Sequence, residues 1–149
     1  MTTIQVEPQA LASWPLLLAR IALTFPFWES AVDKLLHFQG AVAEMTHFGL
    51  QPPTLVAIAV IVVQLLGSIL IIARLYPWLG AGALIVFTTL TIPIVHHFWN
   101  LQGIERLDAL HMATEHVGLI GALILSAMNA TTARGAPARY EAAAAARLR

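Results

Sequence analysis

Apolar residues along the chain are gathered into four long stretches rather than alternating with polar ones. Each stretch approaches the ~20 helical residues needed to cross a hydrocarbon core about 30 Å thick. The first runs from about Ser13 to Leu36, with Ser13 placed to cap the helix, Pro15 acceptable in its first turn and Pro26 expected to kink it. The second, Leu55 to Ala73, is an almost unbroken run of Val, Ile and Leu, interrupted by Gln64, Gly67 and Ser68. The third extends from about Pro77 to Trp99, and the fourth, about Asp108 to Ala130, starts polar and turns apolar after His116. The pattern predicts an all-α fold, an integral membrane four-helix bundle over residues 13–130, with a leader at 1–12 and a cytoplasmic Arg/Ala-rich tail at 131–149.

Between the first two stretches, Phe38, Val42, Met45 and Phe48 recur at helical spacing before Gly49 and the Pro52-Pro53 break, which predicts a short helix lying on the membrane surface. The tail, with five alanines from Ala142 to Ala146, reads as a frayed or independently helical end. The leader carries Glu7 and neither Lys nor Arg, and no small-residue cleavage site follows the first apolar run, so that run is expected to be a retained span. Arg74, Arg134, Arg139, Arg147 and Arg149 fall on the side of the termini, and Lys34 and Arg106 fall opposite. That imbalance of basic residues puts both termini in the cytoplasm of a multi-pass protein of the plasma (inner) membrane.

Composition sharpens this picture. The chain is 58% hydrophobic and 11% charged, with a mean hydropathy of +0.76, whereas soluble domains average roughly 25% charged residues. The lipid bilayer is therefore its expected solvent. A formal net charge of zero offers no basic surface for phosphate backbones, so no nucleic acid partner is expected. Cysteine is absent, which removes thiol exchange, disulfides and thiolate metal sites. A redox role would then need a cofactor, a metal or another protein.

With this topology all six histidines fall on the outer side: His37 and His47 after the first span, His96 and His97 ending the third, His111 and His116 opening the fourth. Glu29, Asp33 and Lys34 on the first span, and Asp108 and Glu115 on the fourth, lie near them. Helical side chains tilt toward their N-terminus, so Glu29, Asp33, Lys34, His96 and His97 are aimed back into the membrane. Glu29, Asp33 and His37 form one stripe; Asp108, His111 and Glu115 form another. If the stripes face each other they line one outer-half pocket of Glu29, Asp33, Lys34, His96, His97, His111 and Glu115. Single histidines at headgroup depth are commonly ordinary interface residues, but six on one side suit three uses. These are divalent metal ligation by His96, His97, His111 and His116, axial ligation of haem b, and proton delivery to a bound quinone.

Two polar residues lie inside the spans. Arg20 either snorkels to the inner water or pairs across helices, with Gln64 as the candidate partner; Gln64 itself is expected to make an interhelical hydrogen bond. Gly118, Ala122 and Ser126 form a small-residue stripe suited to helix packing. Glu44-x-x-His47 is half of a carboxylate-bridged di-iron signature, but it occurs once and outside the spans. No phosphate loop, nucleotide fingerprint or nucleophile with its base is present, which disfavours a free-standing hydrolase or kinase.

These residues also carry a family likeness. Leu18-Ala19-Arg20 with Phe25 and then Lys34-Leu35 resembles the first-span pattern of the DoxX family. Gly49-Leu50-x-Pro52, Gln64-Leu65-Leu66-Gly67 closed by Arg74, His97-Phe98-Trp99 and Gly118-x-x-Gly121 follow in the same order, so the resemblance covers about Leu16 to Ala127. The chain departs from the pattern at Gln64, where the family often carries Glu, and at Trp28-Glu29-Ser30, where the family has a Gly before the Lys-Leu pair. The resemblance implies a small four-span protein in a broad group that includes the DoxD-type subunit of a thiosulfate:quinone oxidoreductase. Such relatives look more like partners or anchors of oxidoreductase complexes than isolated enzymes. The leading expectation is thus a membrane subunit or accessory of a redox system, with a quinone-like ligand in the outer-half pocket and an oxidoreductase partner protein. A histidine-based metal or haem protein and a non-catalytic scaffold are the alternatives, and homo-oligomerisation is compatible with each.

Overall fold

The computed structural model describes the backbone of residues 8–147 and the side chains of residues 14–129. The elements are helical: α1 (Pro8–Leu36), α2 (Phe38–His47), α3 (Pro53–Ile72), α4 (Pro77–Ile94), a single 3-10 turn (Phe98–Asn100) and α5 (Gly103–Arg147). No strand occurs among the described residues. Helix α1 packs along α3, α3 against α4 and α4 against α5, while α5 returns to touch α1. Three segments, Pro53–Ile72, Pro77–Asn100 and Gly103–Asn129, are long and apolar enough to cross a membrane. Helix α1 is long enough as well, but Arg20, Glu29, Asp33 and Lys34 make it more polar.

Several boundaries differ from the expectation. Helix α1 is already helical at Pro8, so Ser13 lies inside the helix and is not its cap. Pro15 accordingly stands in the helix interior rather than in its first turn. Helix α4 stops at Ile94, one residue past Pro93, and Val95 to His97 leave the helix before the 3-10 turn. Helix α5 starts at Gly103, whose φ of +59° suits glycine, and its backbone runs without a break to Arg147, so residues 131–147 extend α5 instead of forming a separate helix.

The expected surface helix is α2, and one face of it packs into the protein. Ala41 and Met45 are buried against Ala57 of α3, with Phe38, Val42 and Leu50 packed around them. Gly49, at φ +70°, reverses the chain so that Leu50 can return to this cluster.

The main core joins all four long helices: Phe27 from α1, Ile71 from α3, Ala81 and Leu84 from α4, and Leu123 from α5. Phe27 meets Phe87 edge to face at 6.2 Å. The tightest contact is between α3 and α4. A Cβ on Gly80 would come within 2.6 Å of the Gly67 carbonyl oxygen, and one on Gly67 within 2.7 Å of Leu84 Cγ. At Gly118, the glycine of the expected α5 stripe, the position where a Cβ would stand is open, as it is at Gly121. Close helix approach was expected there and occurs instead at Gly67 and Gly80. Large apolar side chains such as Leu55, Val62, Leu66, Val86, Leu90, Val117 and Leu125 point outward, a surface suited to lipid and not to water. Accordingly, Gly80→Ala is expected to destabilise the protein by about 1–3 kcal/mol through overpacking. Gly82→Ala, with nothing within 4 Å, is expected to be neutral; thermal unfolding of both variants in one detergent checks the contrast.

Candidate functional site

The end of the bundle where α1 and α4 finish and α5 starts holds the histidines. The helix faces there are set by small and apolar residues. Helix α1 buries Thr24, Phe27 and Ala31, and α5 buries Ala109, Ala113 and Leu123. At about 100° per residue, Glu29 and Asp33 stand about 200° from Phe27 and Ala31, and His111 and Glu115 about 200° from Ala109 and Ala113. All four are exposed, as are His37 and Asp108. The two stripes therefore look away from the bundle and do not enclose the expected pocket. Asp33 Oδ1 instead meets His37 Nδ1 at 2.9 Å along the outside of α1.

Lys34 is turned inward, and its partner was not foreseen. Its Nζ lies 2.9 Å from Glu44 Oε2 on α2 and donates to Ser30 Oγ at 3.4 Å. The chain reversal after Leu36 brings Glu44 over the end of α1, so Glu44 serves as a counter-ion and not as half of a di-iron pattern. The sequence carried a signal for this: a lysine aimed back into the membrane needs an acid, and Glu44 is on the adjoining helix.

The four histidines proposed as metal ligands are only partly brought together. His96 and His116 stack edge to face with ring centres 4.9 Å apart. His116 Nδ1 donates to the Met112 carbonyl at 2.7 Å, because a carbonyl only accepts. His97 is half-buried before the 3-10 turn, and His111 is exposed. Among the described residues no three His, Asp or Glu side chains are grouped closely enough to hold a metal ion.

The opposite end holds a cavity of about 340 Å³ between the start of α1, the end of α3, the start of α4 and the α5 segment around Ser126. Arg20, Arg74, Ser126 and Asn129 are its polar lining, over apolar walls that include Leu23 and Leu125. Arg20 Nε donates to the Leu16 carbonyl at 3.0 Å, four residues toward the helix start, and not to Gln64. Gln64 is buried in α3 and its Oε1 has no partner among the described residues, so the expected interhelical bond to that oxygen is missing. A groove of about 730 Å³ between α3 and α4 is lined by apolar residues, among them Trp78 and Phe87.

The DoxX pattern matches residues 15–97, more than half of the chain. The chain belongs to the DoxX family. Over 113 residues it is 31% identical to Inner membrane protein YphA of Escherichia coli (strain K12), covering 76% of this chain and 81% of that one. No solved structure matches it. This DoxX protein is an integral protein of the inner membrane, embedded in the lipid bilayer. The matched region holds Arg20, the Lys34–Glu44 pair, Gln64 and Arg74, whereas His111, Glu115, His116 and the cavity residues of α5 fall outside it.

In this DoxX chain Lys34 is largely buried and Glu44 only partly so, which makes loss of one partner worse than loss of both. Glu44→Gln is expected to lower the melting temperature more than the double change Lys34→Met/Glu44→Gln does. A double-mutant cycle by thermal unfolding in detergent measures the coupling, expected to be of order 1 kcal/mol.

Proposed function

We propose that this DoxX protein is a four-span accessory subunit of a membrane redox system, with both termini cytoplasmic, and that the outward face of α1 at the histidine end receives a membrane-embedded redox partner. The observation that carries this reading is Glu29. It is exposed on α1 about seven residues, or ~10 Å, before the helix end, and has no hydrogen bond or ion pair among the described residues. A carboxylate facing lipid at that depth is costly, and such residues ordinarily face protein or a water-filled cavity. Phe25 and Trp28 pair edge to face at 5.0 Å on the preceding turn, and Val32 is exposed on the following one. An aromatic anchor beside a carboxylate is a suitable surface for a second helix that brings a donor.

Length and packing support a fourth span. At 1.5 Å per residue the 29 residues of α1 extend about 43 Å, enough for a core of about 30 Å, and α1 lies along α3. The basic residues of the termini and of Arg74 support the cytoplasmic side. The redox assignment rests on the DoxX resemblance to anchors of oxidoreductase complexes. A quinone-like ligand held by Glu29, Asp33, Lys34, His97, His111 and Glu115 has less support, because four of these are exposed and Lys34 is engaged by Glu44.

Gentle extraction from the native membrane followed by native mass spectrometry tests the proposal. The expected result is a fixed-stoichiometry assembly with a polypeptide bearing flavin, iron or haem, lost in Glu29→Leu while the chain itself melts at the same or a higher temperature. Recovery of the chain alone or only with copies of itself, or an undiminished assembly from the variant, would overturn it.

A further inference from the structure

The cavity at the other end of the bundle is not used by that reading, and its chemistry is distinctive. Its volume, about 340 Å³, lies within the range of roughly 300–1,000 Å³ typical of small-molecule sites. Two guanidinium groups, Arg20 and Arg74, line it, and its lining contains no carboxylate. Among the described residues neither arginine has an ion pair. The bond from Arg20 Nε to the Leu16 carbonyl fixes the plane of that guanidinium and leaves its terminal nitrogens for another acceptor. Ser126 and Asn129 add neutral donors from α5.

Arg74 contributes a second, independent observation. Its φ is +57°, the only non-glycine residue with positive φ among the described residues. It follows the α3 C-cap Ala73, where a left-handed residue ends a helix and glycine is the usual choice. An arginine retained there carries strain that glycine would not, and strain kept at one position points to a role for its side chain.

We propose that this cavity binds a phosphate-bearing anion, the two arginines clamping the phosphate, with the apolar walls of Leu23 and Leu125 taking the first part of an acyl chain when the anion is a phospholipid of the adjoining leaflet. Planar guanidinium groups match phosphate oxygens with paired hydrogen bonds, and a recess with arginines beside apolar walls suits a ligand half polar and half apolar. A lipid headgroup and soluble phosphate share this chemistry, and the test separates them.

The full chain in neutral detergent is titrated with phosphatidylglycerol, with phosphatidylcholine of the same acyl chains, and with inorganic phosphate, and followed by native mass spectrometry and thermal unfolding. One phosphatidylglycerol per chain and a raised melting temperature are expected, with phosphatidylcholine inert at the same concentration. Arg20→Gln and Arg74→Gly are each expected to weaken that binding about tenfold. Arg74→Gly relieves the left-handed strain, so the lipid-free variant melts at an unchanged or higher temperature and its loss of binding is not a loss of fold. A shift with phosphatidylglycerol alone assigns the site to lipid; an equal shift with inorganic phosphate assigns it to a soluble anion. Binding that is insensitive to both substitutions, or equal stabilisation by phosphatidylcholine, overturns the site.

Discussion

In hydrocarbon no water is available to take an orphaned donor or acceptor, so each span must satisfy its own backbone and most of its side-chain polarity. The three buried hydroxyls among the described residues follow that constraint literally. Thr24 donates to the Arg20 carbonyl, Ser68 to the Gln64 carbonyl and Thr88 to the Leu84 carbonyl, each one turn back along its own helix. None of these bonds ties one helix to another. With lipid outside as apolar as leucine inside, cohesion falls to close packing, and the place where backbones approach most closely is the Gly67–Gly80 crossing of α3 and α4. Phe27, Leu84 and Leu123 then bring α1 and α5 onto that pair.

Polarity is consequently displaced to the two ends, and the ends are unlike. At the histidine end the charges are acidic and basic together. Lys34 is neutralised within the protein by Glu44, and Asp33 by an adjacent imidazole when that ring is protonated. Glu29, Asp108 and Glu115 are displayed outward. The arginine end encloses positive charge without a carboxylate in the cavity lining. One end thus displays carboxylates along the outside of its helices, and the other has a recess lined by two guanidinium groups. The buried core between them is almost wholly apolar, apart from Gln64 and the hydroxyls of Thr24, Ser68 and Thr88.

Four long helices, their approximate limits, the amphipathic α2 and the membrane as solvent were legible in the sequence, because each depends on local runs of residue type: length of apolar stretch, helical spacing, and proline or glycine at the breaks. The positions of Arg20 and Arg74 at one end and of six histidines at the other were legible for the same reason. Which way each helix is rotated was not. Glu29 and Asp33 on α1, and His111 and Glu115 on α5, satisfy the spacing of a shared pocket, yet small residues on the opposite faces, Ala31, Ala109 and Ala113, decide which side packs inward. Likewise Gly118, Ala122 and Ser126 match a packing stripe by spacing, whereas Gly67 and Gly80 lie on different helices, and only the α3–α4 crossing shows that these two meet. The Lys34–Glu44 pair and the Arg20–Arg74 cavity join residues on different helices, brought together by the reversal after Leu36 and by the return of α5 to α1. A span is specified by composition over about twenty neighbours, so the sequence by itself determined that this chain lives in a bilayer; the faces that meet depend on side-chain volumes across helices, so the tertiary structure alone decided where its polar groups converge.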